Sequence, residues 1–174
     1  MDITVATRPI GPDDLPRFVR LWPRLSQETV YRRFHSPVRY LPPELVRRLV
    51  TVDHDRREAL VAVAGDEVIG VARYDRSPID PSSADVAVLV EDAWQGMGVG
   101  RQLLTELADL AAARGVHTLT AAVQEDNDRM VAMIRRLLPG SDFRVDDHVY
   151  TVRSPLSEPA TAAPTPAPVA AAGR

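Results

Sequence analysis

Three glycines at positions 96, 98 and 100 alternate between an apolar run, residues 86–90, and a stretch with helical periodicity. A backbone without Cβ atoms can approach a ligand closely, and the first amide N–H groups of a helix have no intrahelical acceptor. Those donors and the positive end of the helix dipole attract phosphate or pyrophosphate. The spacing therefore predicts an anion-binding loop. Arg101, a cation in the first helical turn, opposes the dipole and is better explained by an anionic ligand.

Two common phosphate loops do not match this stretch. The dinucleotide-binding fingerprint requires a third glycine where the chain has Arg101, and the nucleotide P-loop requires a lysine in a chain that has none. The spacing Gln/Arg-x-x-Gly-x-Gly/Ala does match, at Gln95-Gly96-Met97-Gly98-Val99-Gly100. This hexapeptide resembles the pyrophosphate-binding loop of the GNAT family of acyl-CoA-dependent N-acyltransferases.

Hydrophobic periodicity and turn residues predict the elements around the loop. In order, they are strand 3–8, a helical stretch to about residue 25, helix 27–34 capped by Ser26, a helix opened by Pro42-Pro43-Glu44, strands 59–64, 68–74 and 84–90, a helix ending at Arg114-Gly115, strand 118–123, a helix capped by Asp126 or Asn127, and strands 143–145 and 148–152. Three strands arrive in succession before a crossover helix, so we expect an α+β or mixed α/β fold rather than a doubly wound sheet. Proline and alanine dominate from Ser154 onward, which predicts a domain over 1–153 and a disordered tail over 154–174.

The order of elements over residues 4–152 is also similar to the GNAT fold, a mixed, mostly antiparallel sheet flanked by helices. Segments 25–34 and 70–76 resemble the GNAT domain of bacterial protein lysine acetyltransferases. The resemblance implies that acetyl-CoA is the co-substrate and that the loop from Gln95 to Arg101 holds its pyrophosphate. It further implies that Asn127 hydrogen-bonds the coenzyme. From the residues alone, Gly96 is equally a turn residue, and Asn127 a helix N-cap.

The resemblance assigns the end of the strand before the loop to the pantetheine arm. The backbone of Val88, Leu89 and Val90 is implied to pair with that arm, which behaves like an added strand. Amide N–H groups near Leu89 and Val90 are expected to stabilise the tetrahedral oxyanion. The same three residues fit a hydrophobic core whatever the ligand.

Acyl transfer to an amine requires the neutral amine, whereas a lysine-like ammonium has a pKa near ~10.4, so a base is needed. In the lysine acetyltransferase-like subfamily, a glutamate ten residues before the loop glutamine is this base. Here the position holds Asp85, one methylene shorter. Desolvation would raise its pKa and a relaying water would restore its reach; otherwise Asp85 is an ordinary solvated strand-edge residue. Glu91 and Asp92 lie nearer the loop, where we expect them to cap and solvate the turn.

The resemblance also implies a tyrosine in the helix after Asn127 that protonates the leaving thiolate. This chain has Met133 or Ile134 at that place. Neither side chain donates a proton. We therefore expect either solvent or one of two other residues, Tyr74 or Tyr150, to protonate the thiolate.

Composition excludes several other functions. A net charge of −3 argues against general nucleic-acid binding, and we expect the arginine pairs, such as Arg32-Arg33, to be solvated faces or contacts to coenzyme phosphates or an acidic partner. The chain has no cysteine, and its four scattered histidines predict no metal site. It lacks an eighteen-residue apolar run and a signal-peptide pattern, so we expect a cytoplasmic protein with no membrane partner.

These features together predict direct transfer of an acetyl group from acetyl-CoA to a primary amine in a ternary complex. A protein lysine is the preferred acceptor, and a small-molecule amine is the alternative. Because the base is short and the tyrosine is missing, an acyl-CoA-binding regulatory module without catalysis is a third interpretation. A monomer and a homodimer are both compatible with the sequence.

Overall fold

The computed structural model describes residues 4–156. Its strands are β1 (Val5–Pro9), β2 (Arg57–Ala64), β3 (Glu67–Arg76), β4 (Ser83–Val90), β5 (Thr118–Gln124), β6 (Asp142–Asp146) and β7 (Val149–Pro155). Its α-helices are α1 (Leu15–Leu21), α2 (Gln27–Phe34), α3 (Pro43–Val50), α4 (Val99–Ala113) and α5 (Asp128–Leu137). Short 3₁₀ turns precede α1, follow it, and lead from β4 into the glycine loop.

The strands form one sheet in the order β1-β2-β3-β4-β5-β7-β6. All neighbouring strands in it are antiparallel except β4 and β5, which are parallel. The predicted mixed, mostly antiparallel fold is confirmed. Strands β2 and β3 form a hairpin, and its turn contains Gly65, whose φ of +60° is unfavourable for a residue with a Cβ.

Each face of the sheet carries its own apolar core. On one face, α4 buries Leu103 and Leu107, which are one helical turn apart, against the strands and α5. On the other face, α1 buries Phe18 and Leu21, and α3 contributes Val50. The sheet therefore separates α1, α2 and α3 from α4 and α5.

Local capping fixes where the helices next to the loop begin. The Ser26 side chain accepts a hydrogen bond from Thr29 N–H (3.1 Å) at the start of α2. Asn127 does the same for Met130 N–H (3.2 Å) at the start of α5. Both capping predictions are confirmed, with Asn127 rather than Asp126 as the cap of α5.

The two ends of the predicted domain differ from expectation. The first strand runs over Val5–Pro9 in the described range, one residue further than predicted, while Ile3 lies outside that range. β7 continues through Ser154 and Pro155, which the sequence assigned to the tail. Ser154 is buried and its hydroxyl lies 2.7 Å from that of Ser141. Residues 157–174 of the predicted tail lie outside the described residues.

One feature of the sheet creates space for a ligand. The ladder between β4 and β5 covers only three residue pairs, from Ser83↔Thr118 to Asp85↔Thr120. β4 continues to Val90 beside β3, and β5 continues to Gln124 beside β7. The two parallel strands therefore diverge beyond Asp85, and a cleft opens between them.

Candidate active site

The glycine loop between β4 and α4 has a backbone that glycine adopts most readily. Gly96 and Gly98 have φ angles of +79° and +88°, and α4 begins directly after Gly98. In the described part of the chain, the amide N–H groups of residues 96–101 form no well-formed hydrogen bond to protein, whereas Gln102 N–H donates to Gly98 O (3.0 Å). Consecutive unused amides at the start of a fifteen-residue helix are donors of the kind that phosphate groups accept from.

Hydrogen bonds to α2 hold this loop in place. Gln95 Nε2 donates to Val90 O and to Thr29 Oγ1, both at 3.0 Å. Asp92 accepts from the Ser26 hydroxyl (2.6 Å) and the Thr29 hydroxyl (2.9 Å). Burial opposes ionisation of Asp92, but these hydrogen bonds outweigh it and hold the pKa of this carboxyl below its usual range. The Gln95 side chain therefore braces the loop.

Two side chains beside the loop have unused donors. Arg101 is exposed and, among the described residues, takes part in no hydrogen bond or ion pair. Asn127 uses Oδ1 to cap α5, and its amide Nδ2 makes no hydrogen bond within residues 4–156. Asn127 also lines the cleft between the diverging strands. The capping of α5 is therefore compatible with the predicted hydrogen bond from Asn127 to the coenzyme, because the two use different atoms.

The cleft between β4 and β5, called here the β4–β5 cleft, is lined mainly by apolar side chains from β4, β5, α4 and α5 and by two arginines of α2. The lining residues are Arg32, Arg33, Val86, Ala87, Val88, Leu104, Leu119, Ala121, Ala122, Val123, Asn127, Met130, Ile134, Leu138 and Ser154. It runs along the part of β4 that has lost its β5 partner. An extended chain can lie there as an added strand.

The pairing of β4 with β3 decides which backbone groups face this cleft. Glu91 N–H donates to Ile69 O (2.8 Å), and hydrogen-bonding direction alternates along an antiparallel strand. Val88 and Val90 therefore turn their amide and carbonyl groups towards the cleft. Leu89 turns its groups towards β3, and its side chain is buried in the opposite core. The expectation that the Leu89 amide faces the coenzyme is wrong because that amide belongs to the β3 ladder.

A second concavity, called here the apolar groove, lies on the opposite face of the sheet. It is lined by Phe18, Leu21, Trp22, Leu25, Arg33, Phe34, Leu41, Leu49, Val71, Arg73, Ala87 and Leu89. Arg33 and Ala87 line both the apolar groove and the β4–β5 cleft. These residues therefore lie between the two concavities, and we call that place the junction.

Charged side chains cluster beside the junction. Asp85 lies two residues before Ala87 on the same face of β4, and it pairs in register with Asp75 of β3. Arg73 Nε is 3.3 Å from Asp75 Oδ2. Burial raises the pKa of the Asp85 carboxyl, while the hydroxyl of Thr120 (3.4 Å) and the charge of Arg33 act in the opposite direction. A carboxylate with a raised pKa beside a reaction site suits a general base.

The other acid–base residues named from the sequence lie elsewhere. The Tyr74 hydroxyl is fully buried, 3.4 Å from Arg114 Nη1, and Tyr150 packs edge-to-face on Phe143. Neither tyrosine lines the β4–β5 cleft or the apolar groove. Glu91 is buried rather than solvated, and its Oε2 lies 3.2 Å from Arg24 Nε. The expectation that Glu91 solvates the turn is therefore wrong.

Two polar residues at the end of α2 were missed as site residues. The sequence predicts that the Arg32-Arg33 pair is a solvated face or contacts coenzyme phosphates or an acidic partner. In the structure, Arg33 lines both concavities at the junction. His35 follows α2 with a φ of +52°, and its Nδ1 lies 2.9 Å from Gln124 Nε2. Segment 25–34, one of the two that resemble lysine acetyltransferases, contains Arg33 and ends just before His35. That resemblance was the sequence signal for a functional role at the end of α2.

Neither a metal site nor a membrane span is found in the described part. Within residues 4–156, no three His, Asp or Glu side chains are grouped to hold a metal ion. Over the same range, no helix is both long and apolar enough to cross a membrane.

Comparisons with known proteins show the family of this chain. Residues 18–138 match the model of the acetyltransferase (GNAT) family. The chain is 36% identical over 132 residues to acetyltransferase Pat of Mycolicibacterium smegmatis, and the aligned region covers 75% of this chain but only 39% of Pat. It is 30% identical over 142 residues to an L-methionine sulfoximine/L-methionine sulfone acetyltransferase of Pseudomonas aeruginosa, covering 78% of this chain and 80% of that one.

A solved structure gives the same assignment. The crystal structure of the GNAT domain of S. lividans PAT superposes with a TM-score of 0.79 at 32% identity, covering 87% of this chain and 90% of that one. The family match spans well over half of the chain and includes the glycine loop, the diverging strands and α5. The chain therefore belongs to the GNAT family and is an acyl-CoA-dependent N-acyltransferase.

Proposed function

We propose that this chain transfers the acetyl group of acetyl-CoA to the side-chain amine of a protein lysine. The observation that carries the proposal is the junction, where Arg33 and Ala87 line both the β4–β5 cleft and the apolar groove and Asp85 lies two residues away on β4. A thioester entering from one face of the sheet and an amine entering from the other come together there. The likeness to Pat and to the GNAT domain of S. lividans PAT supports lysine as acceptor.

The donor side fits acetyl-CoA from phosphates to thioester. The unused amides of residues 96–101 and the cation Arg101 suit the pyrophosphate. From there, the backbone groups of Val88 and Val90 suit the amide-containing pantetheine arm. Asn127 Nδ2 supplies a further donor from the opposite wall. The thioester then lies towards Ala87 and the junction.

The acceptor side fits the aliphatic stem of a lysine. Nearly all residues that line the apolar groove are hydrophobic, and four methylenes of a lysine gain free energy by leaving water there. The groove ends at the junction, where the amine is needed. Asp85 lies next to that end and takes the proton through a relaying water.

The reaction is then a direct displacement. The neutral amine nitrogen attacks the thioester carbonyl carbon, and the amide N–H groups of Val88 and Val90 are the donors available for the oxyanion. The C–S bond breaks, its electron pair leaves on the sulfur of CoA, and the amine proton passes to Asp85 and on to solvent. No acyl-enzyme is needed.

A small amine is the second candidate acceptor. The relative that acetylates L-methionine sulfoximine or L-methionine sulfone is matched over 80% of its length, against 39% for Pat. A compact amino acid with an uncharged side chain would also fit the apolar groove. The two candidates differ in whether the acceptor is a polypeptide.

The test is acetylation with the purified protein. The chain contains no lysine, so an acetyl-lysine signal in a protein lysate cannot come from the enzyme itself. We expect such a signal with wild type and acetyl-CoA, and none with Asp85→Asn. Thiol release with free amino acids but not with proteins would instead favour the small amine. Binding of acetyl-CoA without acetylation of either class would contradict the proposal and favour a regulatory module.

A further inference from the structure

The guanidinium of Arg33 lacks an anionic partner at the junction. Two cationic side chains line the β4–β5 cleft, and one of them, Arg32, is paired with Glu28 (2.6 Å). Arg33 lines both the cleft and the apolar groove. Within residues 4–156 it makes no hydrogen bond and no ion pair, and its Cζ lies 4.9 Å from the centroid of the Phe34 ring.

The charges around Arg33 do not compensate it fully. Asp85 of β4 and Asp75 of β3 attract it, but Arg73 of β3 repels it and already forms an ion pair with Asp75. His35, which follows α2, also lies near Asp85. Burial, together with Arg73, lowers the pKa of the Arg33 guanidinium from its usual value, although it stays a cation at any physiological pH. A partly buried charge without an ion-pair partner is unfavourable, so a group at the junction is expected to provide negative charge.

Acetyl transfer generates negative charge at this place. It develops first on the carbonyl oxygen of the thioester and then on the sulfur as the C–S bond breaks. Among the residues lining the β4–β5 cleft there is no tyrosine, cysteine or histidine that could protonate the sulfur, and Met133 or Ile134 stands where the resemblance implies a tyrosine. The leaving thiolate therefore needs another form of stabilisation.

We propose that Arg33 is a catalytic residue that stabilises the negative charge on the departing CoA thiolate. This inference rests on the proposed acetyl transfer. Arg33 acts as a fixed cation and gives up no proton: the electron pair of the C–S bond stays on sulfur, and the thiolate takes a proton from solvent after it leaves. Phe34 holds the guanidinium, and Trp22 packs edge-to-face on Phe34 with ring centroids 5.9 Å apart. The cation is thus positioned before the charge develops, which is what makes electrostatic stabilisation effective.

The test measures the ionisation of bound CoA itself, with no acceptor present. The chain has no cysteine, so the CoA thiol is the single thiol in the complex. The thiolate absorbs in the ultraviolet, so its formation can be followed as the pH rises. Tyrosine ionisation also changes this absorbance, and the complex with acetyl-CoA, whose sulfur cannot ionise, provides the baseline to subtract. We expect the thiol pKa of bound CoA to lie about one unit lower in wild type than in Arg33→Met, because a neighbouring cation favours the thiolate. Arg33→Lys restores part of the shift.

Two further variants keep the test decisive. Arg136→Met removes an exposed arginine of α5 that does not line the cleft, and its thiol pKa is expected to equal that of wild type. Arg33→Gln replaces Arg33→Met if the latter melts at a lower temperature without ligand. In turnover, we expect Arg33→Met to lower kcat by up to about tenfold with an unchanged Kd for acetyl-CoA, because one pKa unit of thiolate stabilisation corresponds to a factor of ten.

Three results have distinct meanings. Equal thiol pKa values in wild type and Arg33→Met would overturn the role of Arg33. A raised acceptor KM with unchanged kcat and thiol pKa would also overturn it, and would assign Arg33 to an anionic group of the acceptor. Failure of wild type to bind CoA would refute the proposed function before the role of Arg33 is reached.

Discussion

Replacement of Asp85 is the most direct probe of the proposed chemistry. Asp85 and Ala87 are two residues apart on one face of β4, so at about 3.3 Å per residue their Cα atoms lie about 6.6 Å apart. This separation is too large for a direct hydrogen bond from an amine at Ala87 to a short aspartate side chain, so a water must relay the proton. Asp85→Asn keeps the size of the side chain and removes the base. We expect kcat to fall about 10²–10⁴-fold, which is about 2.7–5.4 kcal/mol in activation free energy.

The assay is thiol release on a verified acceptor, with acetyl-CoA binding measured separately by calorimetry. Binding should not change, because Asp85 lines neither the β4–β5 cleft nor the apolar groove. Asp85→Glu should keep or raise the rate, since the added methylene shortens the gap to the junction. Wild-type kcat should rise with pH through one ionisation, and that ionisation lies above the usual aspartate range because burial raises the Asp85 pKa. Turnover of Asp85→Asn at the wild-type rate would refute this reasoning, and His35 would then be the next residue to replace.

Three other perturbations have defined outcomes. Acetyl-CoA at 100 times Kd should stabilise the protein by about 2.7 kcal/mol and so raise its Tm, and Gly100→Glu should abolish this rise. Gly100→Gln should keep part of the rise, because a Cβ at residue 100 meets its nearest neighbour, Val90, at an ordinary 3.5 Å. Equal loss in both variants would show that charge at the loop is irrelevant. Asn127→Ser keeps a capping oxygen for α5 but removes Nδ2. The Tm without ligand should therefore stay the same, while the affinity for acetyl-CoA should fall about 2–13-fold. Equal affinities of the two proteins by calorimetry would show that Asn127 only caps α5. Asp85→Asn should raise Tm at neutral pH, because burial raises the pKa of Asp85 in the folded state and the ionised carboxyl then destabilises that state. Thermal melts in acid, where Asp85 is protonated in both the folded and unfolded states, should show no increase in Tm.

The parts of the structure that follow from local rules were predictable from the sequence. The loop glycines specify positive φ angles, Ser26 and Asn127 are strong capping residues, and α4 buries residues at helical spacing. None of these features depends on which strand lies beside which. The order of three strands before a crossover helix similarly restricts the sheet, so the fold class was also accessible.

The sequence alone could not predict which side of a helix or strand faces the site. Arg32 and Arg33 are identical neighbours, but adjacent helical residues point about 100° apart, so one can reach Glu28 while the other reaches the junction. Only the packing of α2 on β4 decides between them. Tyr74 does not reach the site for a related reason. Side chains alternate along a strand, so Tyr74 lies on the opposite face of β3 from Arg73 and Asp75, and therefore on the opposite face of the sheet from Asp85. That alternation is visible in the sequence, but its relation to Asp85 requires the register of β3 and β4.

Helix α2 connects the two halves of the proposed reaction. Its first residues hold the coenzyme loop through Asp92, and its last turn carries Arg33 to the junction. Eight residues at 1.5 Å each span about 12 Å, so one rigid element fixes the distance between the loop and the cation. A thioester bound through its pyrophosphate is therefore placed relative to Arg33 by the same helix. Because the low pKa of Asp92 keeps its carboxylate ionised, this attachment persists across the pH range in which Asp85 is proposed to act as base.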